Sequence, residues 1–363
     1  MERRKADRTA AAAAAGAALT AVSWGLLAAA RKADGFSEWY AGCVYPVLTG
    51  SLGRLSGLFP FSVVELGLYI VIVYAAFMPI RFRKRPAAAA VRIFCFCALL
   101  FFLYTVNCGI NYYRKPFSSW LNLETGKAGD QELYEMCSWL TDMVNTSRKE
   151  MEQDSGSWKN QGEKGTVSMN MLGETYPVLS GFYPQPKPVT VSWILSIQQC
   201  SGVYSPFTIE ANYNRDMTAY NIPHTICHEL SHLRGFMRED EANFIGYLAC
   251  IDAPYPDFRY SGYLMGWIYA GNALAGTDPE AYRELYAMLD ESVREDLEEN
   301  SRFWNRYEGK TAEVANRVND AYLKANGQQE GVRTYGRAVD LMLADFLENR
   351  GDFPCNQNEE MVK

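Results

Sequence analysis

The stretch HTICHELSHLRGFMREDEAN, residues 224 to 243, holds all three histidines of a 363-residue chain: His224, His228 and His232. Side chains four apart share a helical face. His228 and His232 therefore present two imidazoles to one point, as a tetrahedral zinc ion requires of two ligands on a single helix. Glu229, one residue past the first ligand, reaches water at such an ion without filling a coordination position, which is the H-E-x-x-H arrangement of zinc-dependent hydrolysis. Asn221 as a cap, Pro223 in the first turn and Gly235 at the end predict a helix of about a dozen residues around the motif.

A zinc site that does chemistry needs a third protein ligand and one open position for water. Carboxylates follow at once, because after a sharp turn at Gly235 a second helix opens on Glu239-Asp240-Glu241-Ala242-Asn243. This stretch resembles the E-x-x-(A/S)-(D/N) segment of the gluzincin clan, the thermolysin-like peptidases. The resemblance implies Glu239 as third ligand to one zinc ion per chain, and Asn243 as the neighbour that orients His228 or His232, with Gly246 in register three residues later. Glu241 stands about 200° further round the helix than Glu239, at about 100° per residue. Two departures from the family pattern stand out. Asn replaces the more familiar Asp, so the supporting acceptor is neutral, and the short step from His232 to Glu239 leaves no inserted subdomain between the two helices. A fourth ligand from His224 would close the site and make it structural. Rotation of about 40° per four-residue step and its place in the first turn argue against that.

With zinc on His228, His232 and Glu239, water in the open position becomes acidic and Glu229 takes its proton as the water attacks a carbonyl. The developing oxyanion needs a further donor. No histidine remains, so Tyr260 and Tyr263 in FRYSGYLMG are the candidates, with Tyr247 as a weaker one. Peptide-cleaving enzymes commonly hold substrate extended against a sheet edge. The run 204–213 reads as that edge, with Glu210 and Asn212 facing the cleft. The N-terminal apolar runs, SPFTIEANYN, ICHELSHLRGFMREDEANFIGYLAC and YSGY together also resemble a bacterial membrane family of unknown function that is grouped with zincin peptidases, over most of the chain after those runs.

The elements that position this chemistry begin with three long apolar runs, residues 9–30 (TAAAAAAGAALTAVSWGLLAAA), 60–80 (PFSVVELGLYIVIVYAAFMPI) and 87–110 (AAAAVRIFCFCALLFFLYTVNCGI). Each approaches the ~20 residues that cross a hydrocarbon core about 30 Å thick. Lys and Arg are retained on the cytoplasmic side, and they cluster before the first run (Arg3, Arg4, Lys5, Arg8) and between the second and third (Arg81, Arg83, Lys84, Arg85). Residues 111–363 then form a domain outside the cytoplasmic membrane, after a membrane region spanning 1–110. A cleaved signal peptide ending at Ala28-Ala29-Ala30 is the alternative for the first run. The connection at 31–59 carries Trp39, Tyr40, Tyr45 and Phe59 and suits a short interfacial helix.

Within the C-terminal part, 129–152 has Leu133, Met136, Cys137, Leu140, Met143 and Val144 at helical spacing, and 153–164 reads as an exposed loop. VTVSWILS and SGVYSPFTIEANYN read as one or two strands. After Asn221 the pattern stays helical to about Asn349, with breaks near Gly235, Pro254, Gly276, Gly309 and Gly331. The expected fold is mainly α with a small β-sheet, an α+β zincin-like domain preceded by three transmembrane helices. A formal charge of −7 excludes a nucleic-acid surface, which needs clustered cations. Nine cysteines show no C-x-x-C spacing, so one bridge among the outer five or buried free thiols are both open. The leading expectation is a multi-pass membrane metallopeptidase acting on peptide or protein substrates at a lipid bilayer. A membrane sensor or binding protein on a zincin fold is the alternative, as is hydrolysis of a cell-wall amide.

Overall fold

The computed structural model describes residues 2–121, 129–326, 328 and 335–350. Helix α1 (Glu2–Lys32) leads into α2 (Phe36–Trp39), a π-helical turn (Tyr40–Val44) and α3 (Tyr45–Gly57). Helix α4 (Val63–Phe82) starts at Ser62, whose hydroxyl accepts from the Glu65 N–H at 3.2 Å, and α5 (Pro86–Asn107) opens on a proline whose missing N–H leaves nothing unpaired in a first turn. Among the described residues, three segments are long and apolar enough to cross a membrane: Asp7–Lys32, Val63–Phe82 and Pro86–Asn107. They fall within a few residues of the expected runs. Gly16 lets α1 lie close along α5, since a Cβ there would stand 2.8 Å from the Phe94 ring.

The connection at 31–59 is helical, as expected, but it is more than an interfacial strip. Tyr45 is fully buried, and its hydroxyl donates to the Leu233 carbonyl at 2.9 Å. Gly53 and Gly57 pack on Pro184, and Glu38 accepts from the Lys115 N–H at 2.8 Å. The division at residue 110 therefore runs through a contact surface.

Helix α6 (Asp130–Gln153) buries Leu133, Met136, Cys137, Leu140 and Val144, the stripe its spacing predicts. Helix α7 (Gln161–Thr175) starts inside the segment read as a loop, so only 154–160 is irregular. Next come β1 (Lys187–Pro188), α8 (Trp193–Ser196), β2 (Gly202–Ser205) and β3 (Glu210–Tyr213). The sheet order is β1-β3-β2, with β3 parallel to β1 and antiparallel to β2. VTVSWILS is not a strand. The N–H groups of Thr190 and Val191 donate to Glu65 at 2.8 and 3.0 Å instead of to a neighbouring strand, and the chain then turns helical.

The remaining elements are α9 (Asn221–Leu233), α10 (Glu239–Ile251), α11 (Pro256–Thr277), α12 (Pro279–Met288), α13 (Glu291–Asn305), α14 (Lys310–Ala325) and α15 (Tyr335–Asp345). α9 and α10 are buried on nearly every side. Glycines make that enclosure possible: a Cβ at Gly165 on α7 would lie 2.2 Å from Ile226 of α9, and one at Gly246 on α10 would lie 3.2 Å from the His228 nitrogen. Helices part near Gly235, Pro254, Gly276 and Gly309 as expected, and also at Leu289–Asp290; Gly331 lies outside the described residues. Among the described residues the cysteines are free thiols, with Cys108, Cys137, Cys227 and Cys250 buried.

Candidate metal centre

The end of α9 sets the geometry. Gly235 adopts φ 94°, a left-handed conformation that glycine reaches without the clash of a Cβ. The Gly235 N–H donates to the His232 carbonyl at 2.9 Å and the Phe236 N–H to the Ser231 carbonyl at 3.1 Å, a Schellman closure. It turns the chain so that the Phe236 carbonyl lies 2.8 Å from Nδ1 of His232. A carbonyl only accepts, so Nδ1 carries the proton and Nε2 keeps its lone pair free to coordinate. The start of α9 differs from expectation. Asn221 is not the cap; its amide donates to Thr218 and Asn300, and Tyr220 precedes the helix without a side-chain cap.

After the turn, α10 begins at Glu239 and its carboxylate meets both imidazoles. Oε2 lies 3.3 Å from Nε2 of His228, and Oε1 lies 3.6 Å from Nε2 of His232. One ligand atom from each of the three lies within 4.8 Å of the others. A tetrahedral ion with bonds of about 2.0–2.1 Å holds its ligand atoms about 3.3 Å apart; the donor types suit zinc, and the three atoms are near enough to converge on one ion. These side chains keep 13%, 11% and 19% of their surface exposed, leaving a wet face for a fourth position. Burial opposes charge on Glu239, yet the hydrogen bond and charge of the imidazoles hold its pKa below the usual carboxylate range, and the same pairing raises His228 against its burial. Burial lowers His232 to about 4, keeping it neutral as a ligand must be.

Asn243 sits one turn along α10 from Glu239. Its side chain hydrogen-bonds His228, and the Tyr269 hydroxyl donates to its Oδ1 at 3.3 Å. Both partners favour the amide oxygen on that side, which leaves the buried Nδ2 unpaired. His228 and His232 are thus each oriented by an oxygen acceptor, Asn243 for one and the Phe236 carbonyl for the other. His224 faces elsewhere: its Nε2 reaches the Asn243 carbonyl at 3.2 Å, and burial lowers it to about 3. It ties α9 to α10. Glu241 points away, as its helical angle requires, and accepts from the Phe117 N–H at 2.8 Å.

Glu229 is buried, and burial raises its pKa to about 8. Against it lies the edge strand β2. A Cβ on Gly202 would stand 2.6 Å from Oε1 of Glu229 and 2.7 Å from Thr225, so only glycine fits that approach. Asn214 donates to the Ser201 carbonyl at 2.8 Å, and antiparallel alternation from that pair points the N–H and C=O of Gly202 and Tyr204 away from β3. The Tyr204 N–H accordingly reaches Glu229.

Four of the expected site residues lie elsewhere. Tyr260 is fully buried and donates to Asp296 at 2.6 Å, beside Arg148. Tyr263 stacks edge-on against Trp139, with centroids 5.7 Å apart. Glu210 does not face a cleft: it accepts from the Val63 and Val64 N–H groups at 3.0 and 2.9 Å and from Lys187 at 2.6 Å, closing the first turn of α4. Asn212 is buried in the central strand β3 and bonds the Val203 and Glu210 carbonyls. A tyrosine that does approach the centre is Tyr269, whose ring meets His224 edge-on at 6.0 Å. It lies on the same helix as the two expected ones, and in a chain with 23 tyrosines spacing alone does not single it out. Gly202 had a readable signal in its place inside a β-rich run; the Phe236 carbonyl had none.

The chain belongs to the family described as "Protein of unknown function (DUF3810)", which matches residues 40–343. No curated protein and no solved structure matches it.

Proposed function

We propose that this chain is a membrane-anchored zinc metallopeptidase of zincin-like fold, with its catalytic domain outside the cytoplasmic membrane of a bacterium. The observation that carries this reading is the convergence of His228, His232 and Glu239 on one point, with a face left open. The membrane part rests on three apolar helices. The basic segment Arg81–Arg85 lies at the ends of α4 and α5 remote from the site, which supports a site on the non-cytoplasmic side.

His228, His232 and Glu239 would hold the zinc ion. When bound, the ion supplies Lewis acidity that sharpens the attacking water and polarises the carbonyl. Glu229 takes the proton of that water. Its burial disfavours ionisation, and a divalent cation held by the three ligands would favour the carboxylate that takes this proton. Asn243 and the Phe236 carbonyl fix the two ring orientations. The outward Gly202 N–H and Tyr204 carbonyl offer an extended peptide main-chain pairing at this edge, with its carbonyl brought over Glu229. That edge favours a peptide over other amides.

Purified protein should contain one zinc per chain. Glu229→Gln should keep the metal and lose peptide hydrolysis, whereas Glu239→Ala should lose both; hydrolysis by zinc-loaded Glu229→Gln at the wild-type rate would overturn the mechanism.

A further inference from the structure

The site is tied to the outer ends of the apolar helices by several independent hydrogen bonds. Tyr204, whose N–H meets Glu229, places its hydroxyl 3.1 Å from the carbonyl of Asn107, the last residue of α5. The Asn107 amide donates to the Pro206 carbonyl at 2.7 Å. Glu210 closes the first turn of α4, and its ion-pair partner Lys187 donates to the Ser56 carbonyl at 2.7 Å. Glu65 of α4 holds Thr190 and Val191. The ties to α4 and α5 are made at the ends remote from Arg81–Arg85, and Ser56 lies at the end of α3 that leads into α4.

These ties bound the height of the site. A tyrosine reaches about 7 Å from backbone nitrogen to hydroxyl by standard bond lengths, so with a hydrogen bond to Asn107 at one end and Glu229 facing the Tyr204 N–H at the other, Glu229 lies within roughly 15 Å of Asn107. α5 has 22 residues. At about 1.5 Å each it just spans a hydrocarbon core of about 30 Å, which puts Asn107 at the core boundary. The headgroup layer beyond it is roughly 5–8 Å thick. Glu229 thus lies within or just above the headgroups. Leu58, Phe59 and Phe61 ahead of α4, and Phe207 next to the carbonyl that Asn107 bonds, are exposed at this level, where apolar side chains favour lipid over water.

Resting on the membrane-anchored peptidase reading, we propose that the substrate is a peptide segment tethered to the same bilayer, cut within about five residues of the point where it leaves the hydrocarbon, the reach of an extended chain over this height. A soluble chain must bring a backbone down among the headgroups to meet the edge of β2. A tethered one starts there, at the high local concentration that tethering confers.

The test co-reconstitutes the full zinc-loaded chain in phosphatidylcholine–phosphatidylglycerol vesicles with a polyleucine transmembrane helix that carries a mixed-sequence tail of about 40 residues, roughly 130 Å if extended. Cleavage sites are mapped by mass spectrometry, against the same tail as a free peptide and against Glu229→Gln. The expected result is cuts concentrated within about five residues of the helix, at least about tenfold faster than any cut in the free tail, as local concentration predicts. Cuts spread evenly along the tail, or equal rates on the free peptide, overturn this inference and leave the peptidase standing. Absence of any cut above the Glu229→Gln background on either substrate removes the peptidase reading and this inference with it.

Discussion

Gly202 presses bare backbone against the carboxylate of Glu229, so that a Cβ there would stand 2.6 Å from Oε1. The Gly202→Ala variant must therefore move β2 or Glu229, and the metal ligands, on other residues, stay where they are. Activity should fall by about a hundredfold, as a displacement of about 1 Å at a reacting group costs. Zinc content measured on the same preparation should be unchanged; an alanine variant of full activity would remove the close approach from the argument.

Gly235 holds the turn that aims the Phe236 carbonyl at His232. Gly235→Ala should destabilise by about 1–2 kcal/mol, the cost of a left-handed non-glycine residue. Its Cβ would also crowd Arg114 and Tyr45, at 3.1 and 3.3 Å. Because the carbonyl then shifts from Nδ1, zinc affinity should weaken about tenfold or more. Thermal melts and chelator competition read the two effects separately.

Asn243 and Tyr269 form one hydrogen-bonded unit behind His228. Asn243→Ala should weaken zinc binding about 10–100-fold, the usual effect of removing a group that orients a ligand. Tyr269→Phe removes one hydrogen bond to that group, about 0.5–1.5 kcal/mol, and should weaken zinc less. In the double variant the tyrosine change should add little, since its partner is already gone. Fully additive losses in a chelator titration would show the two acting separately.

Glu210 and Lys187 are a buried ion pair 2.6 Å apart, not a substrate contact. Glu210→Ala should destabilise by about 3–5 kcal/mol, because Lys187 is left as an uncompensated buried charge. Lys187→Met combined with Glu210→Leu should recover part of this loss. KM on a zinc-loaded, folded preparation of the double variant should match wild type; a large rise in KM with unchanged stability would return Glu210 to the cleft.

The parts of this molecule written in local pattern were legible. Apolar runs of membrane length, the stripe on α6, the glycine after His232 and the four-residue spacing of His228 and His232 each depend on neighbours within a turn or two. Their elements form near the expected bounds. The strand reading of VTVSWILS failed because β-branched residues only become a strand where a partner accepts their backbone, and Glu65 takes those N–H groups first. The loop reading of 153–164 failed at its end because Gly162 serves packing, with a Cβ there 2.7 Å from the Pro186 carbonyl, and not a turn.

By itself, the sequence determined the two imidazoles on one face, the glutamate between them and the helix that carries them, since helical periodicity alone dictates those directions. Only the tertiary structure decided which carboxylate and which tyrosine come near, that Glu210 serves α4 instead of a cleft, and how close the centre lies to the ends of the apolar helices. Those are distances between segments far apart in the chain, fixed by which surfaces bury one another, and no local spacing encodes them.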